Sequence, residues 1–246
     1  MTGVALDNLS LGYEGRPVLR GLSGVFPPGR LTGLAGPNGS GKSTLLKGLS
    51  GVLHPLGGRI DRGGLKARDI AYLPQDAGLD RQFPITVEEL VGLGAWARQG
   101  LFGKVGTADR ARRDETLETL GLTHVADRPV SELSGGQLQR ALFARVLLQD
   151  ARLVLLDEPF SALDERTATD LSRMVRGWAD QGRTVILVLH DLDMARELCD
   201  EVLLLAGEAI SWGPTSQALT TEALGRARRW AQACEDPAHH HAESRL

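Results

Sequence analysis

The apolar positions of the chain fall into short runs that predict strands alternating with helices. Near the N-terminus, runs at 4–9, 18–25 and 31–35 are separated by glycine and proline. Such punctuation predicts strands joined by tight turns, and we expect these three runs to form a small sheet. Further short runs predict strands at residue 60 and at 70–73.

The middle of the chain has the periodicity of helices. Between residue 76 and about residue 131, the best helical segments are 87–96 and 109–120. We interpret this part of the chain as a helical subdomain inserted at about 76–145.

In the second half, helical stripes alternate with continuous apolar runs. Residues 137–148 carry apolar side chains on one helical face, and the run 153–156 ends at Asp157. A second helical stripe at 171–178 precedes a predicted strand at 184–189. Continuous apolar runs are typical of strands buried on both faces, and β-α-β alternation is typical of parallel sheets covered by helices. The pattern therefore predicts an α/β fold with a mixed, mainly parallel sheet.

Composition argues against several classes of protein, among them nucleic-acid-binding, disulfide-rich, secreted and membrane-spanning proteins. The length of 246 residues fits one domain, or one domain with a subdomain, and the formal net charge of −3 gives no electrostatic case for binding nucleic acid. Cys199 and Cys234 have no ligand-spaced neighbours that would form a disulfide framework or a zinc finger, which fits a reducing cytosol. The N-terminus lacks the build of a secretory signal, and the apolar runs are far shorter than the roughly 20 residues that span a bilayer.

A glycine-rich loop separates the predicted strand at 31–35 from a predicted helix at 42–49. The loop consists of Gly36, Pro37, Asn38, Gly39, Ser40, Gly41, Lys42, Ser43 and Thr44. Loops of this pattern turn backbone N–H groups toward the β and γ phosphates of a nucleotide, and the helix adds the positive end of its dipole. Lys42 supplies a charge that bridges those phosphates, and the Ser43 hydroxyl is suited to ligate Mg²⁺. A glycine-rich turn with an incidental lysine is the alternative.

Two carboxylates end the apolar run at 153–156. Asp157 and Glu158 are expected at the carboxyl edge of a parallel sheet, where ligands bind in open α/β folds. We expect Asp157 to hold the metal, through water, and Glu158 to polarise the attacking water as general base. The alternative is a surface pair that ends a strand.

Together with the segment Leu133, Ser134, Gly135, Gly136 and Gln137, these motifs resemble those of the nucleotide-binding subunits of ATP-binding cassette (ABC) transporters, in the same order. The resemblance covers roughly residues 3–220 and implies a P-loop NTPase core, an N-terminal antiparallel β subdomain and an inserted helical subdomain. It implies an ABC ATPase domain at 1–225 and a helical, histidine-containing tail at 226–246. By the resemblance, the five-residue segment is the signature sequence, whose Ser134 and Gly136 contact the γ-phosphate bound to the opposite subunit. Read alone, the segment is a serine-capped helix start or a linker.

Four further residues gain roles only through the resemblance. Tyr13 matches the aromatic residue that stacks on adenine, and Gln75 matches the glutamine that senses the metal and the γ-phosphate. His190 matches the switch histidine that hydrogen-bonds the γ-phosphate and steadies the base, and Asp164 matches the loop along the dimer interface. The plainer alternatives are a strand-end tyrosine, a loop glutamine, a structural histidine and a helix N-cap.

The resemblance implies an activity and partners. Two copies form a homodimer that closes on MgATP, and hydrolysis with phosphate release reopens it. The same system includes ABC permease subunits in the membrane and a periplasmic or extracellular substrate-binding protein. The chain is then expected at the cytoplasmic face of the inner membrane, held there through the permease, without nucleic acid as a partner. The groove for the permease is expected beside Gln75 and the insert that follows it.

The transported solute is suggested by one segment. Residues 81–91, with 136–140 in agreement, resemble the segment after the glutamine loop in zinc and manganese importers. Importers of iron-siderophore, haem or cobalamin share much of this build and are the alternative. Two further alternatives are an ABC-type ATPase that acts on DNA or ribosomes, and a regulatory nucleotide-binding module without useful turnover. The histidines at 239–241 could bind a transition metal, although nothing nearby completes a site.

Overall fold

The structure, a computed structural model, describes residues 3–75, 84–99, 106–161 and 163–235. In chain order the elements are β1 (Val4–Tyr13), β2 (Arg16–Phe26), β3 (Leu31–Ala35), α1 (Lys42–Ser50), β4 (Gly57–Asp61), β5 (Ile70–Leu73), α2 (Val87–Gln99), α3 (Thr107–Thr119), α4 (Gly135–Gln149), β6 (Leu153–Asp157), α5 (Glu165–Asp180), β7 (Thr184–Val188), α6 (Leu192–Leu198), β8 (Glu201–Leu205), β9 (Ala209–Pro214), α7 (Thr215–Ala218) and α8 (Thr221–Glu235).

The described residues fall into two units. The first lies within Met1–Gly64 and Ile186–Leu246, and the second is Leu65–Val185, so the boundary falls inside β7. Among the helices that the structure describes, none has the length and apolar character needed to cross a membrane.

The small sheet of the first unit differs from the prediction in one strand. Its order is β2-β1-β4, and both pairings are antiparallel. The predicted third member, β3, instead pairs in parallel with β8, from Thr32 opposite Glu201 to Ala35 opposite Leu204. All five residues of β3 are buried, whereas β4 is partly exposed along its length. A strand buried on both faces belongs inside a parallel sheet, and a half-exposed strand is suited to a sheet edge.

The rest of the first unit surrounds β3. In the sheet order β3 lies between β7 and β8, and β9 pairs antiparallel with β8 at the edge. Helix α1 begins at Lys42 and ends at Ser50, and Gly51 follows with a φ of 88°, the left-handed conformation that glycine commonly adopts at the end of a helix. Helix α8 contains residues 225 and 226, between which we divide the ATPase domain from the tail, and that division remains a prediction.

The second unit contains the parallel strands and helices that the periodicity predicted. Strands β5 and β6 pair in parallel, from Ile70 opposite Leu153 to Leu73 opposite Leu156. Helix α4 packs against α2 and α3. On its other side, Phe143 stacks on Trp178 of α5 with ring centroids 5.2 Å apart, and both side chains are buried. The helical stripe at 171–178 is therefore core packing. Residues 76–83 and 100–105 of the predicted insert lie outside the described residues.

Candidate functional site

The glycine-rich loop follows a backbone path that side chains would obstruct. Gly36 has a φ of 142°, and a Cβ there would lie 2.2 Å from the carbonyl oxygen of Leu205. Gly41 has a φ of 100°, and a Cβ there would lie 2.5 Å from Cδ2 of Leu19. The chain can therefore leave β3 and enter α1 along this path only with glycine at both positions.

Lys42 closes the loop from inside. Its side chain is buried, and Nζ donates hydrogen bonds to the carbonyl oxygens of Gly36 at 2.8 Å and of Pro37 at 2.9 Å. The buried Oγ of Ser40 has no hydrogen-bond partner within the part of the chain that the structure describes. A buried polar atom of this kind requires a partner, and a phosphate oxygen would supply one.

The remaining residues of the loop differ in exposure. Asn38 and Gly39 are exposed at the tip, Ser43 is half-buried and Thr44 is buried. The first turn of α1 contains no acidic side chain, so nothing there opposes an anion at the positive end of the helix dipole.

Tyr13 ends β1 beside the helix that follows the loop. The residue is 44% exposed, and its hydroxyl accepts a hydrogen bond from Nζ of Lys47 at 3.4 Å. The same ammonium lies 5.7 Å from the ring centroid. An exposed aromatic face next to α1 is available to stack on a flat base.

His190 follows β7 and lies close to the loop. The backbone N–H of Leu189 donates to the carbonyl oxygen of Leu34 at 3.2 Å, which holds the end of β7 beside the end of β3. His190, Gly36 and Pro37 line one cavity of about 350 Å³, whose other wall is α8. The structure thus brings His190 and the loop together, while the contribution of α8 was not predicted.

Gln75 and Glu158 are in direct contact in the second unit. They follow β5 and β6, which are paired in parallel, so both side chains start from the same sheet edge. Nε2 of Gln75 donates to Oε2 of Glu158 at 2.8 Å. Asp157, the residue before Glu158, is buried at the end of β6. The placement at the sheet edge was predicted, but the bond between the two side chains was not.

The backbone at Glu158 is strained. Its φ of 51° lies in the left-handed region, which costs a residue with a side chain about 1–3 kcal/mol. The turn is closed by Ser161, whose backbone N–H and hydroxyl both donate to the carbonyl oxygen of Glu158, at 3.3 and 3.1 Å.

The signature segment begins α4 with a reciprocal cap. Oγ of Ser134 accepts from the backbone N–H of Gln137 at 3.3 Å, and Oε1 of Gln137 accepts from the backbone N–H of Ser134 at 3.0 Å. The serine-capped helix start is therefore present in the structure. Ser134 and Gly135 are exposed, Gly136 is half-buried, and the first turn of α4 has no acidic residue. Both features leave the helix start suited to an anion.

Asp164 caps α5. Its carboxylate accepts hydrogen bonds from the backbone N–H and the hydroxyl of Thr167, at 2.9 and 2.8 Å. These bonds hold the pKa of Asp164 below its ordinary value, because they favour the ionised form. The N-cap that we gave as its plainer alternative is present. Ala162 lies outside the described residues.

Three long side chains of α4 were missed by the sequence analysis. Gln139 donates to the carbonyl oxygen of Pro159, Arg145 to that of Tyr72 and Gln149 to that of Ile70, at 3.0, 3.3 and 2.8 Å. Burial also lowers the pKa of Arg145. The signal that could have found them is a set of long polar residues among the apolar positions of a helix.

The segment that suggested a metal importer is partly described. Residues 81–83 lie outside the described residues, and Thr86 starts α2 through a reciprocal cap with Glu89. In the described part of the chain, no group of three or more His, Cys, Asp or Glu side chains could hold a metal ion. The histidines at 239–241 lie outside it.

Comparison with known proteins decides the family. The family model described as ABC transporter matches residues 19–161, more than half of the chain. The chain belongs to the ABC transporter family. It is an ATP-binding cassette subunit, and this family's domain binds and hydrolyses ATP.

Similar curated proteins cover nearly the whole chain. A probable metal transport system ATP-binding protein of Chlamydia pneumoniae is 41% identical over 89% of this chain and 86% of its own length. The zinc transport system ATP-binding protein TroB of Treponema pallidum is 38% identical over 91% of this chain and 86% of its own. The manganese transport system ATP-binding protein MntB of Bacillus subtilis is 37% identical over 91% of both chains.

Solved structures agree on the fold. An ATP-binding subunit of an ABC transporter superposes with a TM-score of 0.79 at 26% identity, covering 92% of this ABC subunit and 98% of its own chain. A transporter described as of the metal-chelate type, in an inward-facing conformation, gives a TM-score of 0.80 at 30% identity, covering 93% and 90%. The predicted fold class is confirmed.

Proposed function

We propose that this subunit hydrolyses ATP to power an importer of zinc or manganese. The observation that carries the proposal is the similarity, over about nine-tenths of the chain, to ATP-binding subunits of zinc and manganese transport systems. The metal is the cargo of the system, and this subunit supplies the ATPase.

The roles of the site residues follow the chemistry of their groups. The loop from Gly36 to Thr44 holds the phosphates with Lys42 as its cation, and Tyr13 stacks on adenine. Glu158 accepts a proton from the attacking water, and Gln75 holds its carboxylate at 2.8 Å. His190 donates to the γ-phosphate.

The residues present also fit Mg²⁺. The Ser43 hydroxyl, the Gln75 amide oxygen and the Asp157 carboxylate are hard oxygen ligands of the kind that Mg²⁺ prefers. Because the Gln75 amide nitrogen donates to Glu158, its oxygen is the atom left for a metal. When bound, Mg²⁺ would neutralise charge on the phosphates.

We propose that the ATPase is a homodimer in which Ser134, Gly135, Gly136 and Gln137 contact nucleotide held by the other copy, with Asp164 along the interface. The exposed start of α4 supports this arrangement. Ser134→Ala tests it, with Ser134→Thr as the control that keeps an N-cap hydroxyl. We expect the alanine variant to lose ATPase activity and ATP-dependent dimerisation in light scattering, while the threonine variant keeps both. Full activity of a monomer would overturn the dimer.

The permease is proposed to dock between α2 and α3. Among the described residues, Ile85, Glu88, Gly92, Trp96, Asp109 and Arg113 help to line a cavity of about 600 Å³ there. Trp96 is 59% exposed, and a Cβ at Gly92 would meet no atom within 4 Å. Through this contact the subunit would be peripheral, at the cytoplasmic face of the membrane, with a substrate-binding protein on the other side.

Gly92→Trp tests the docking site. Because a Cβ at Gly92 meets no atom within 4 Å and Gly92 lines the cavity itself, we expect normal ATP binding and a normal unfolding midpoint. Co-purification with the permease should be lost. Retained co-purification would place the permease elsewhere.

Reconstitution tests the cargo. Proteoliposomes that contain this subunit, its permease and its binding protein should accumulate zinc or manganese only with ATP, and Glu158→Gln should abolish uptake. A second candidate, import of a metal chelate, is favoured by the similarity to a transporter described as of the metal-chelate type. Uptake of ferric siderophore, haem or cobalamin in place of the free ions would establish that candidate.

A further inference from the structure

Helix α4, which begins at the signature segment, is hydrogen-bonded directly to the turn that carries Glu158. Nε2 of Gln139 donates to the carbonyl oxygen of Pro159 at 3.0 Å. Gln139 is half-buried and Pro159 is buried, so the bond is partly shielded from water. Proline has no N–H, and its carbonyl is therefore the only backbone group through which this residue can be held.

The turn needs such a restraint. Glu158 has a φ of 51°, a conformation that persists only where surrounding structure enforces it. The bonds from Ser161 fix the carbonyl of Glu158, and the bond from Gln139 fixes the next carbonyl along the chain. The two peptide groups that follow Glu158 are thereby oriented. Ser161 holds the first from within the turn, and Gln139 holds the second from α4.

Gln139 lies just over one turn after Ser134, the N-cap of α4. We infer that Gln139 is a positioning residue that holds Glu158 in its working orientation. When α4 moves, the bond from Gln139 would move the turn that carries Glu158 with it. The inference rests on the proposed function. In the proposed homodimer, Ser134 contacts the nucleotide that the opposite subunit holds. Glu158 acts on the nucleotide that its own subunit holds. Gln139 would then make the base of one site responsive to occupancy of the other.

Gln149 provides a matched control on the same helix. It is also a glutamine whose Nε2 donates to a backbone carbonyl, that of Ile70 at 2.8 Å. That carbonyl is at the start of β5, away from the turn after β6. Loss of either bond removes one partly buried hydrogen bond from α4, but only Gln139 contacts the turn of Glu158.

The experiment compares Gln139→Met, Gln139→Lys and Gln149→Met in the full-length subunit with its permease. Met has a similar size without a donor, and Lys restores a donor. We expect Gln139→Met to lower kcat by about 10- to 100-fold through misplacement of the base, with KM for ATP nearly unchanged. Gln139→Lys should recover most of the lost kcat. Gln149→Met should lower the unfolding midpoint by a similar amount and leave kcat unchanged.

The outcomes separate this inference from the proposed function. Unchanged kcat in Gln139→Met, or an equal loss in both methionine variants, would overturn the positioning role while Glu158→Gln remained inactive. Full activity of Glu158→Gln would overturn the base assignment and the inference with it. In the double variant, Gln139→Met should add little to the loss from Glu158→Gln, because one residue acts through the other. Additive losses in the double variant would also overturn the inference.

Discussion

The glycine-rich loop and the turn that carries Glu158 are held in place by different kinds of hydrogen bond. The side-chain bonds of the loop join near neighbours, since Lys42 bonds to carbonyls five and six residues before it, and one backbone bond, from the N–H of Gly207 to the carbonyl oxygen of Ser40, comes from far along the chain. The turn is closed locally by Ser161, but its side-chain bonds also reach residues that are distant in sequence, since Gln75 is 83 residues from Glu158 and Gln139 is 20 residues from Pro159. The side-chain bonds of the loop are thus local, whereas those of the turn depend on how α4 and β5 pack.

This difference has consequences for mutation. A change inside the loop should act through the loop's own backbone and through the residues packed against it, Leu19 and Leu205. The turn should be sensitive to residues of α4 and of the segment after β5 that do not touch substrate. The following predictions test each side of the comparison.

The largest effect is expected at the turn. Glu158→Gln removes the proposed general base, and we expect kcat for ATP hydrolysis to fall by about 10²- to 10⁴-fold. ATP binding, measured by equilibrium dialysis, should persist because in the proposed site the glycine-rich loop, and not Glu158, holds the phosphates. Glu165→Gln is the matched control, since Glu165 is an exposed carboxylate in the first turn of α5. Undiminished ATPase in Glu158→Gln would contradict the assignment.

A second test concerns the loop. Gly36→Ala brings a Cβ to 2.2 Å from the Leu205 carbonyl at a φ of 142°, so the loop must move. We expect ATP affinity, measured by titration calorimetry, to fall by about 10- to 100-fold as the N–H groups turn away. Gly39→Ala meets no atom within 4 Å and carries only the cost of its φ of 77°. Equal losses in the two variants would show that collision is not the cause.

Tyr13 should have a smaller effect, confined to binding. Tyr13→Ala removes the stacking surface. Stacking on a base is worth about 1–3 kcal/mol, and for this partly exposed residue we take the lower part of that range, so we expect KM for ATP to rise by about tenfold. The value of kcat should not change, because stacking on the base stabilises the bound ATP and the transition state equally. Tyr13→Phe keeps the ring and should retain normal KM. A large loss in the phenylalanine variant would assign the effect to the hydroxyl and Lys47 instead.

The smallest effect is a pH dependence of stability at Asp164. Its pKa is lowered in the folded chain by the bonds from Thr167, so its carboxylate favours folding above the unfolded pKa. That contribution should be lost as pH falls below about 4, through the folded pKa. Denaturant unfolding between pH 3 and pH 7, compared with Asp164→Asn, measures it. Parallel curves for the two proteins would contradict the direction of the shift.

Much of the fold and of the glycine-rich loop could be predicted from the sequence. The periodicity at 137–148 and 171–178 predicted α4 and α5, because the apolar stripe of a helix is a local signal. The prediction that β3 belongs to the small N-terminal sheet was wrong, because burial on both faces identifies a central strand but does not identify the strands beside it. The bond between Gln75 and Glu158 was also missed, since pairing of β5 with β6 creates it.

What the sequence alone determined is the set of local devices: the glycine loop, the capped start of α4 and the strand that ends in Asp157. Each is encoded within about ten residues, so its geometry follows from backbone freedom and side-chain chemistry. What only the tertiary structure decided is which distant groups hold these devices, above all Gln139 on the turn of Glu158. A hydrogen bond between residues far apart in the chain exists only after packing has brought them together, and no local pattern specifies it.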